Sequence, residues 1–500
     1  MGTVPIYRSQ AKAKWGLSLF IAGGLTVAAF APLGFYPLAL LTLAGLAHAW
    51  RDAPPRQCFW SGFAFGLGLF LSGVSWIYVS LHEFGDVPAL LAAFATLVLC
   101  AFLALFPAAA GWLQARIPAG AALRACLLIP AAWTLAEWLR SWVLTGFPWL
   151  SLGYAAIGWP LQGYAPLGGV FALSFISVAL AGLVWLLAIR HAGARYWVAL
   201  AVAIVLGGEA LRYVQWSTPA GAPLSVALLQ GNIEQSLKFD PARYASTLET
   251  YAHLAEASQA RLVIFPETAV PRFLDQVDRH YLRRLDAVAQ RNGGDLLLGV
   301  PTRRGRDEYF NSVITLGVSP IQVYHKVHLV AFGEFVPPGF AWTLRVMHIP
   351  MSDFSRGAPG QRLLAAAGQR IAVNICYEDA FGDEIAAQLP DATMLVNVSN
   401  VAWFGDSLAP AQHLQIARAR AIETARMHLT AANTGITAVI DRDGTVRARL
   451  PQFEEGRLEA IAQGYAGSTP YVWWRDWPVV VISLGVLGAA ALVARRRRSR

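Results

Sequence analysis

Seven long apolar segments fill the chain as far as about Trp216 and an eighth lies close to its end, a pattern that limits the possible folds more than any other feature. The segments fall near 15–33, 35–50, 57–81, 87–109, 123–144, 165–189 and 195–215, with the last between Pro478 and Ala494. Each approaches the roughly 20 residues needed to cross a bilayer. Charged residues are 14% of the 500 positions, well short of the roughly 25% usual in soluble chains. A polytopic α-helical membrane bundle of about eight spans is the expected class for this part of the chain.

The basic residues test that expectation. Arg8, Lys12 and Lys14 precede span one, Arg51 and Arg56 follow span two, Arg116 and Arg124 follow span four, and Arg190 and Arg195 follow span six. Four consecutive arginines from Arg495 follow span eight, whereas the loop after span three reads His82-Glu-Phe-Gly-Asp and no charge occurs between Ser141 and Ile189. Every basic loop thus falls on one side, as the positive-inside rule requires. Both termini are expected in the cytoplasm, and the segment between spans seven and eight outside it. Span one, with its basic start and Ala29-Phe30-Ala31, has the outline of a signal peptide, but the later spans keep the alternation and it is read as an uncleaved anchor. The net charge of +9 belongs to this topology and does not point to nucleic acid.

Between about Leu224 and Gly464 the pattern changes. Short β-rich runs appear at Leu224–Gln230, Arg261–Phe265, Asp295–Val300, Ser312–Leu316, Arg370–Ile375, Thr393–Val398 and Thr437–Ile440, alternating with helix-compatible stretches at Ala242–Ser258, Arg279–Gln290 and Pro410–Arg426. This alternation predicts an α/β domain with a layered sheet core. The boundaries follow: a membrane domain over 1–220, an α/β domain over 221–468, a C-terminal span over 478–494 and a basic tail over 495–500.

Cys58, Cys100 and Cys126 fall in or beside apolar runs, where a thiol acts as a small hydrophobe. Cys376 differs. It closes the apolar run Arg370–Ile375 just before a helix-compatible stretch, a place where helix N–H groups favour thiolate. Upstream stand Glu267 in Ile-Phe-Pro-Glu-Thr and Lys326 in Tyr-His-Lys-Val-His-Leu. Singly, a buried small residue, a helix cap and a surface charge would explain the three; together they suggest a Glu–Lys–Cys nucleophilic site. There is no CxxC or Cys/His spacing for zinc, and no metal or cofactor is expected.

Phe265-Pro-Glu-Thr268, Tyr324-His-Lys326 with Phe332-Gly-Glu-Phe-Val-Pro337, and Asn374-Ile-Cys-Tyr-Glu-Asp379 resemble the nitrilase superfamily, in that order. Gln230-Gly-Asn232, Tyr309-Phe-Asn311, Ser399-Asn-Val-Ala-Trp-Phe-Gly405 and Asn433-Thr-Gly-Ile-Thr437 narrow the resemblance to the apolipoprotein N-acyltransferase family, as do Gly73–Ser80 and Gly163–Gly168 in the membrane half. The resemblance implies a nitrilase-like α-β-β-α sandwich facing the periplasm of a bacterial inner membrane. It implies N-acylation of the S-diacylglyceryl cysteine of apolipoproteins, the last step of lipoprotein maturation, by a ping-pong route through a Cys376 thioester. The acyl donor would be a phospholipid, phosphatidylethanolamine, and the enzyme a monomer.

In that chemistry Cys376 is the nucleophile, Glu267 the general base and Lys326 the cation over the oxyanion. The resemblance adds Glu334 as a second essential carboxylate, and Tyr377, Glu378, Trp403, Phe404, Asn311 and Phe239 as substrate-contacting residues. The apolar stretch Phe340–Pro350 is expected to form a lid at the lipid headgroups. Three positions depart from the family pattern: Val401 replaces an acidic residue, Phe239 stands where Trp is common, and Thr434 interrupts Asn-Asn-Gly. The alternatives are a membrane-tethered amidase or carbon–nitrogen hydrolase, in which water resolves the thioester, and a transporter carrying an inactive domain.

Overall fold

The computed structural model describes residues 6–305, 308–337 and 353–498; the expected lid, Phe340–Pro350, lies outside them. The chain forms two compact units. One comprises residues 1–78, 90–214 and 474–500, the other Val79–Ala89 with Gln215–Trp473.

The first unit is helical. Among the described residues, five helices are long and apolar enough to cross a membrane: Ala89–Ala115, Ala121–Arg140, Pro160–Ala188, Ala194–Leu211 and Trp477–Arg497. Pro55–Gly73 and Trp76–Phe84, joined across a 51° bend, make a sixth if taken as one span. The segment expected near 15–33 overlaps helix Ile6–Thr26 and the short turn Val27–Ala29, and the one near 35–50 is the shorter helix Tyr36–Trp50. At 1.5 Å per residue Tyr36–Trp50 reaches about three-quarters of a hydrocarbon core.

Small residues set the spacing of these helices. A Cβ on Gly23 would meet the Phe65 carbonyl oxygen at 1.9 Å, and one on Gly68 would meet that of Phe20 at the same distance. Such contact between backbones replaces the hydrophobic effect, which lipid does not supply. Glu137 and Arg140, three residues apart, both turn to the loop that follows them. Arg140 donates to the carbonyls of Phe147 and Trp149, and Glu137 accepts from Trp133 Nε1 and the Leu152 amide, each at 2.9 Å.

The second unit is a four-layer sandwich. One six-stranded sheet runs in the order Gly456–Ala462, Leu224–Gln230, Leu262–Ile264, Asp295–Gly299, Ser312–Gly317, Val323–His325. The other runs Val446–Arg449, Ala438–Ile440, His428–Ala432, Met394–Ser399, Gln369–Ile375, Leu364–Ala366. In each sheet three central strands are parallel and the outer pairings antiparallel.

The two-residue period of a strand divides its side chains between two cores. Leu224, Val226 and Leu228 pack with Ile371, Val373 and Ile375 between the sheets. Ala227 and Leu229 point the other way, under helices Tyr244–Glu256 and Arg279–Arg291. On the far side Ala438 and Ile440 meet Ala417 and Ala421 of helix Ala409–Thr424.

Each strand and helix expected from the sequence in this unit is present, with ends moved by at most two residues. Among the strands not expected are His428–Ala432 and Gly456–Ala462. The first buries His428 and Thr430, so its sequence looks polar. The second is an edge strand with charges on its open face.

Candidate active site

Parallel strands leave their carboxyl ends on one rim, where side chains of successive loops converge. Glu267 follows Leu262–Ile264, Cys376 follows Gln369–Ile375, Asn400 follows Met394–Ser399 and Asn433 follows His428–Ala432. Lys326 extends the end of Val323–His325, and its amide bonds to the Asn311 carbonyl at 2.8 Å.

Cys376 opens a five-residue 3-10 turn, Cys376–Ala380, with φ at +53°. An L-residue in this left-handed region is strained by about 1–2 kcal/mol, and the surroundings hold it there. The Cys376 carbonyl accepts from Asn397 Nδ2 at 3.1 Å and from the His413 ring. The next carboxylate, Glu378, accepts the amides of Ile375 and Val327 at 2.7 Å each and of His328 at 3.0 Å, and the Tyr324 hydroxyl. The sharp turn aims Sγ into a cavity of about 130 Å³.

Glu267 Oε1 accepts from Asn311 Nδ2 at 2.6 Å and lies 3.6 Å from Lys326 Nζ, while Oε2 accepts the Asn400 amide at 2.8 Å. Lys326 Nζ stands 2.8 Å from both oxygens of Glu334. Asn311 Nδ2 also donates to Glu334 Oε1 at 2.9 Å, so one amide bridges the two carboxylates. Glu334 is set by the tight turn after Val330, whose amide donates to its Oε2 at 2.9 Å.

Burial and charge act against each other here. Burial alone would lower the Lys326 ammonium, but Glu334 and then Glu267 outweigh it and the group is held above its usual range. It therefore stays charged at neutral pH. Burial raises the Cys376 thiol, the Glu267 carboxylate raises it further, and Lys326 only partly offsets them. The short turn's N–H groups do not reverse this. At rest the sulfur is a thiol that needs a base.

Phe239, Asn311, Trp403 and Phe404 line the same cavity as Glu267, Lys326, Glu334 and Cys376. Tyr377 and Glu378 are not among its lining residues. The turn directs them away: Tyr377 meets Phe381 and His328 edge-on, and Glu378 ties together the backbone behind Cys376.

Residues not expected from the sequence complete the wall: Gln235, Lys238, Thr268, Phe354 and Asn400, with Ser80 from the segment Val79–Ala89. Phe84 of that segment meets Trp403 edge-on at 6.3 Å. Asn400 was visible only as a motif letter. Its side chain donates to Gln235 at 2.7 Å and accepts from Asn433 at 3.1 Å, linking two of the quoted motifs to the loop that carries Lys238. Val401, where the family pattern is acidic, is buried, and a Cβ on Gly435 would strike it at 2.1 Å. Among the described residues no group of three His, Cys, Asp or Glu could hold a metal ion.

Comparison with known proteins agrees with both units. Residues 22–183 match the family model described as apolipoprotein N-acyltransferase N-terminal domain, and residues 225–471 the one described as carbon-nitrogen hydrolase. A protein of Nitrosomonas europaea named apolipoprotein N-acyltransferase is 45% identical over 97% of this chain and 98% of its own length. One of the same name from Methylococcus capsulatus is 44% identical over 96% of each. Near full-length similarity at this level, joined to a nitrilase-like sandwich and a set of membrane-length helices, makes this chain a member of the apolipoprotein N-acyltransferase family.

Proposed function

We propose that this protein N-acylates the N-terminal S-diacylglyceryl cysteine of apolipoproteins, taking the acyl group from a phospholipid, phosphatidylethanolamine, through a thioester on Cys376. The observation that carries this reading is the convergence of Cys376, Glu267 and Lys326 on one buried cavity, with Glu334 and Asn311 fixing the other two.

In the first half-reaction the Sγ proton moves to Glu267 as sulfur attacks the ester carbonyl carbon. The carbonyl oxygen becomes an oxyanion and Lys326, charged throughout, stabilises it; one such fixed donor is worth about 10²–10³ in rate. Collapse breaks the ester C–O bond, the lysophospholipid oxygen takes the proton from Glu267, and the thioester remains. In the second half-reaction the α-amine attacks the thioester carbon and gives a proton to Glu267. The thiolate leaves and is reprotonated, and an amide has formed. A base near the sulfur is needed because the resting group is a thiol.

The described cavity, at about 130 Å³, is smaller than a typical ligand pocket. It suits the ester group and the first methylenes; the rest of each lipid would extend through the mouth beside Phe239, Trp403 and Phe404. Eight spans, cytoplasmic termini, a catalytic domain on the periplasmic side and a monomeric enzyme complete the proposal.

The deciding experiment incubates purified protein with acyl-labelled phosphatidylethanolamine and seeks a hydroxylamine-labile adduct on the Cys376 peptide. Wild type is expected to carry it and Cys376→Ala to lack it. No adduct in wild type, with lipid bound, would remove this mechanism. The hydrolase alternative separates in the second step: lysophospholipid release in sustained turnover is expected only with an apolipoprotein acceptor, and equal release with water alone would favour the hydrolase.

A further inference from the structure

Lys238 is a second lysine in the cavity, and the chemistry above leaves it without a role. Its side chain is 3% exposed, it lines the cavity with Cys376 and Glu267, and Nζ donates to the Glu267 carbonyl oxygen at 3.1 Å. Among the described residues that is the one hydrogen bond its ammonium makes, although the group has three donors. A buried ammonium with two unused N–H groups is expensive to keep.

The charges around it suggest why the lysine is there. Glu267 and Glu334 with Lys326 leave the site one negative charge in excess before any oxyanion forms. Glu334 takes both close contacts with Lys326, at 2.8 Å, while Glu267 stands off at 3.6 Å. Glu267, the base proposed for the thiol proton, is buried beside another carboxylate, bridged to it only by the neutral Asn311 amide. Lys238, bonded to the backbone of Glu267 in the same cavity, brings the cluster to zero.

We propose that Lys238 is the second cation of the active site, a positioning residue that balances the charge of Glu267 beside Glu334 and holds its backbone, so that the base stays placed to take the Cys376 proton. Burial lowers the Lys238 ammonium to about 8, with Glu267 and then Cys376 opposing that shift, so the group is charged at neutral pH. The ionisable groups that act on it are those two, and Lys326 and Glu334 line the same cavity.

This role rests on Glu267 acting as base for Cys376, and alkylation of the thiol reads it without any acyl donor. The rate of Cys376 alkylation by iodoacetamide would be followed by mass spectrometry from pH 5 to 9 on the full-length protein, for wild type, Lys238→Met and Lys238→Arg. The half-maximal point is expected to move up by about one pH unit in Lys238→Met and to stay near wild type in Lys238→Arg, which keeps the charge. A Lys238→Met profile that superimposes on wild type would overturn the proposal. So would a Lys238→Arg profile displaced by a full unit, and this arm needs only the charge-conserving variant to fold. Failure of the thioester mechanism would look different: no acyl adduct in wild type, with the alkylation profiles still separated.

Discussion

Asn311 is the smallest part of the site with the most work to do. Its single amide nitrogen reaches Glu267 at 2.6 Å and Glu334 at 2.9 Å, so it fixes the separation of two like charges with a neutral donor. Replacing it by Asp keeps the shape but puts a third carboxylate between them. Acyl-enzyme formation by Asn311→Asp is expected to fall about 10²-fold at pH 7 and to recover partly as the pH is lowered toward 5, because one proton shared by the cluster restores a donor at that position. Single-turnover acylation followed across that range checks it; a uniform loss at every pH would mean that packing and not charge is at stake. Lys326 stands at the same scale, its ammonium carrying the positive charge between two carboxylates, while Lys238 balances the second of them.

Among the elements, the five-residue turn Cys376–Ala380 determines the geometry. Strain at Cys376 persists only because the following side chains anchor the turn. Glu378 takes three backbone amides and the Tyr324 hydroxyl, and Asp379 pairs with His428 at 2.9 Å. Burial pushes the Glu378 carboxyl up to about 7, against the pull of Lys326 and the donated amides. Glu378→Ala would leave one buried and two partly buried N–H groups without this acceptor, a loss of about 2–3 kcal/mol. A clear drop in the thermal unfolding temperature is expected, together with loss of acylation, whereas Cys376→Ala should lose acylation with little change in stability. Unchanged unfolding of Glu378→Ala would refute the anchoring role. The same anchoring explains why a residue adjacent to the nucleophile does not line its cavity.

At the scale of the whole molecule, the site is held at a cost in stability. The Lys238 ammonium titrates near 8 in the fold against 10.5 for a free lysine. Below pH 8 both folded and unfolded chains carry the proton and the burial penalty is present in full; between 8 and 10.5 the unfolded chain holds more protons, so stability from this group rises with pH. The shift corresponds to about 3 kcal/mol. Lys238→Met is thus expected to unfold at a higher temperature than wild type at pH 7, with the gain shrinking above pH 8; equal or lower unfolding temperatures at pH 7 would contradict it. The topology makes a separate prediction. Reporter fusions after Arg195 and Arg500 should be active in the cytoplasm, and one after Trp216 outside it. A reporter after Trp216 that is active inside would break the eight-span count.

Much of this protein was legible in the chain, and physical causes mark where it stopped. Apolar runs of membrane length and loops of alternating charge are one-dimensional signals, because lipid acts on each segment separately. The strands Leu224–Gln230 and Gln369–Ile375 were equally plain, being apolar on both faces. Glu267, Lys326 and Cys376 stood out through the letters around them, which are the strand ends and turns that aim the three side chains. His428–Ala432 and Gly456–Ala462 escaped, one because its buried groups are polar and paired, the other because half of it faces water. Lys238 escaped for a related reason: a lysine in a Ser-Leu-Lys-Phe-Asp loop reads as a solvated charge, and nothing local says that it is buried 3.1 Å from the backbone of the base. Sequence by itself determined the classes of element and singled out the candidate reacting groups. Only the tertiary structure decided which charges share a cavity, since electrostatic partnership depends on distance and burial, and neither is a property of neighbours along the chain.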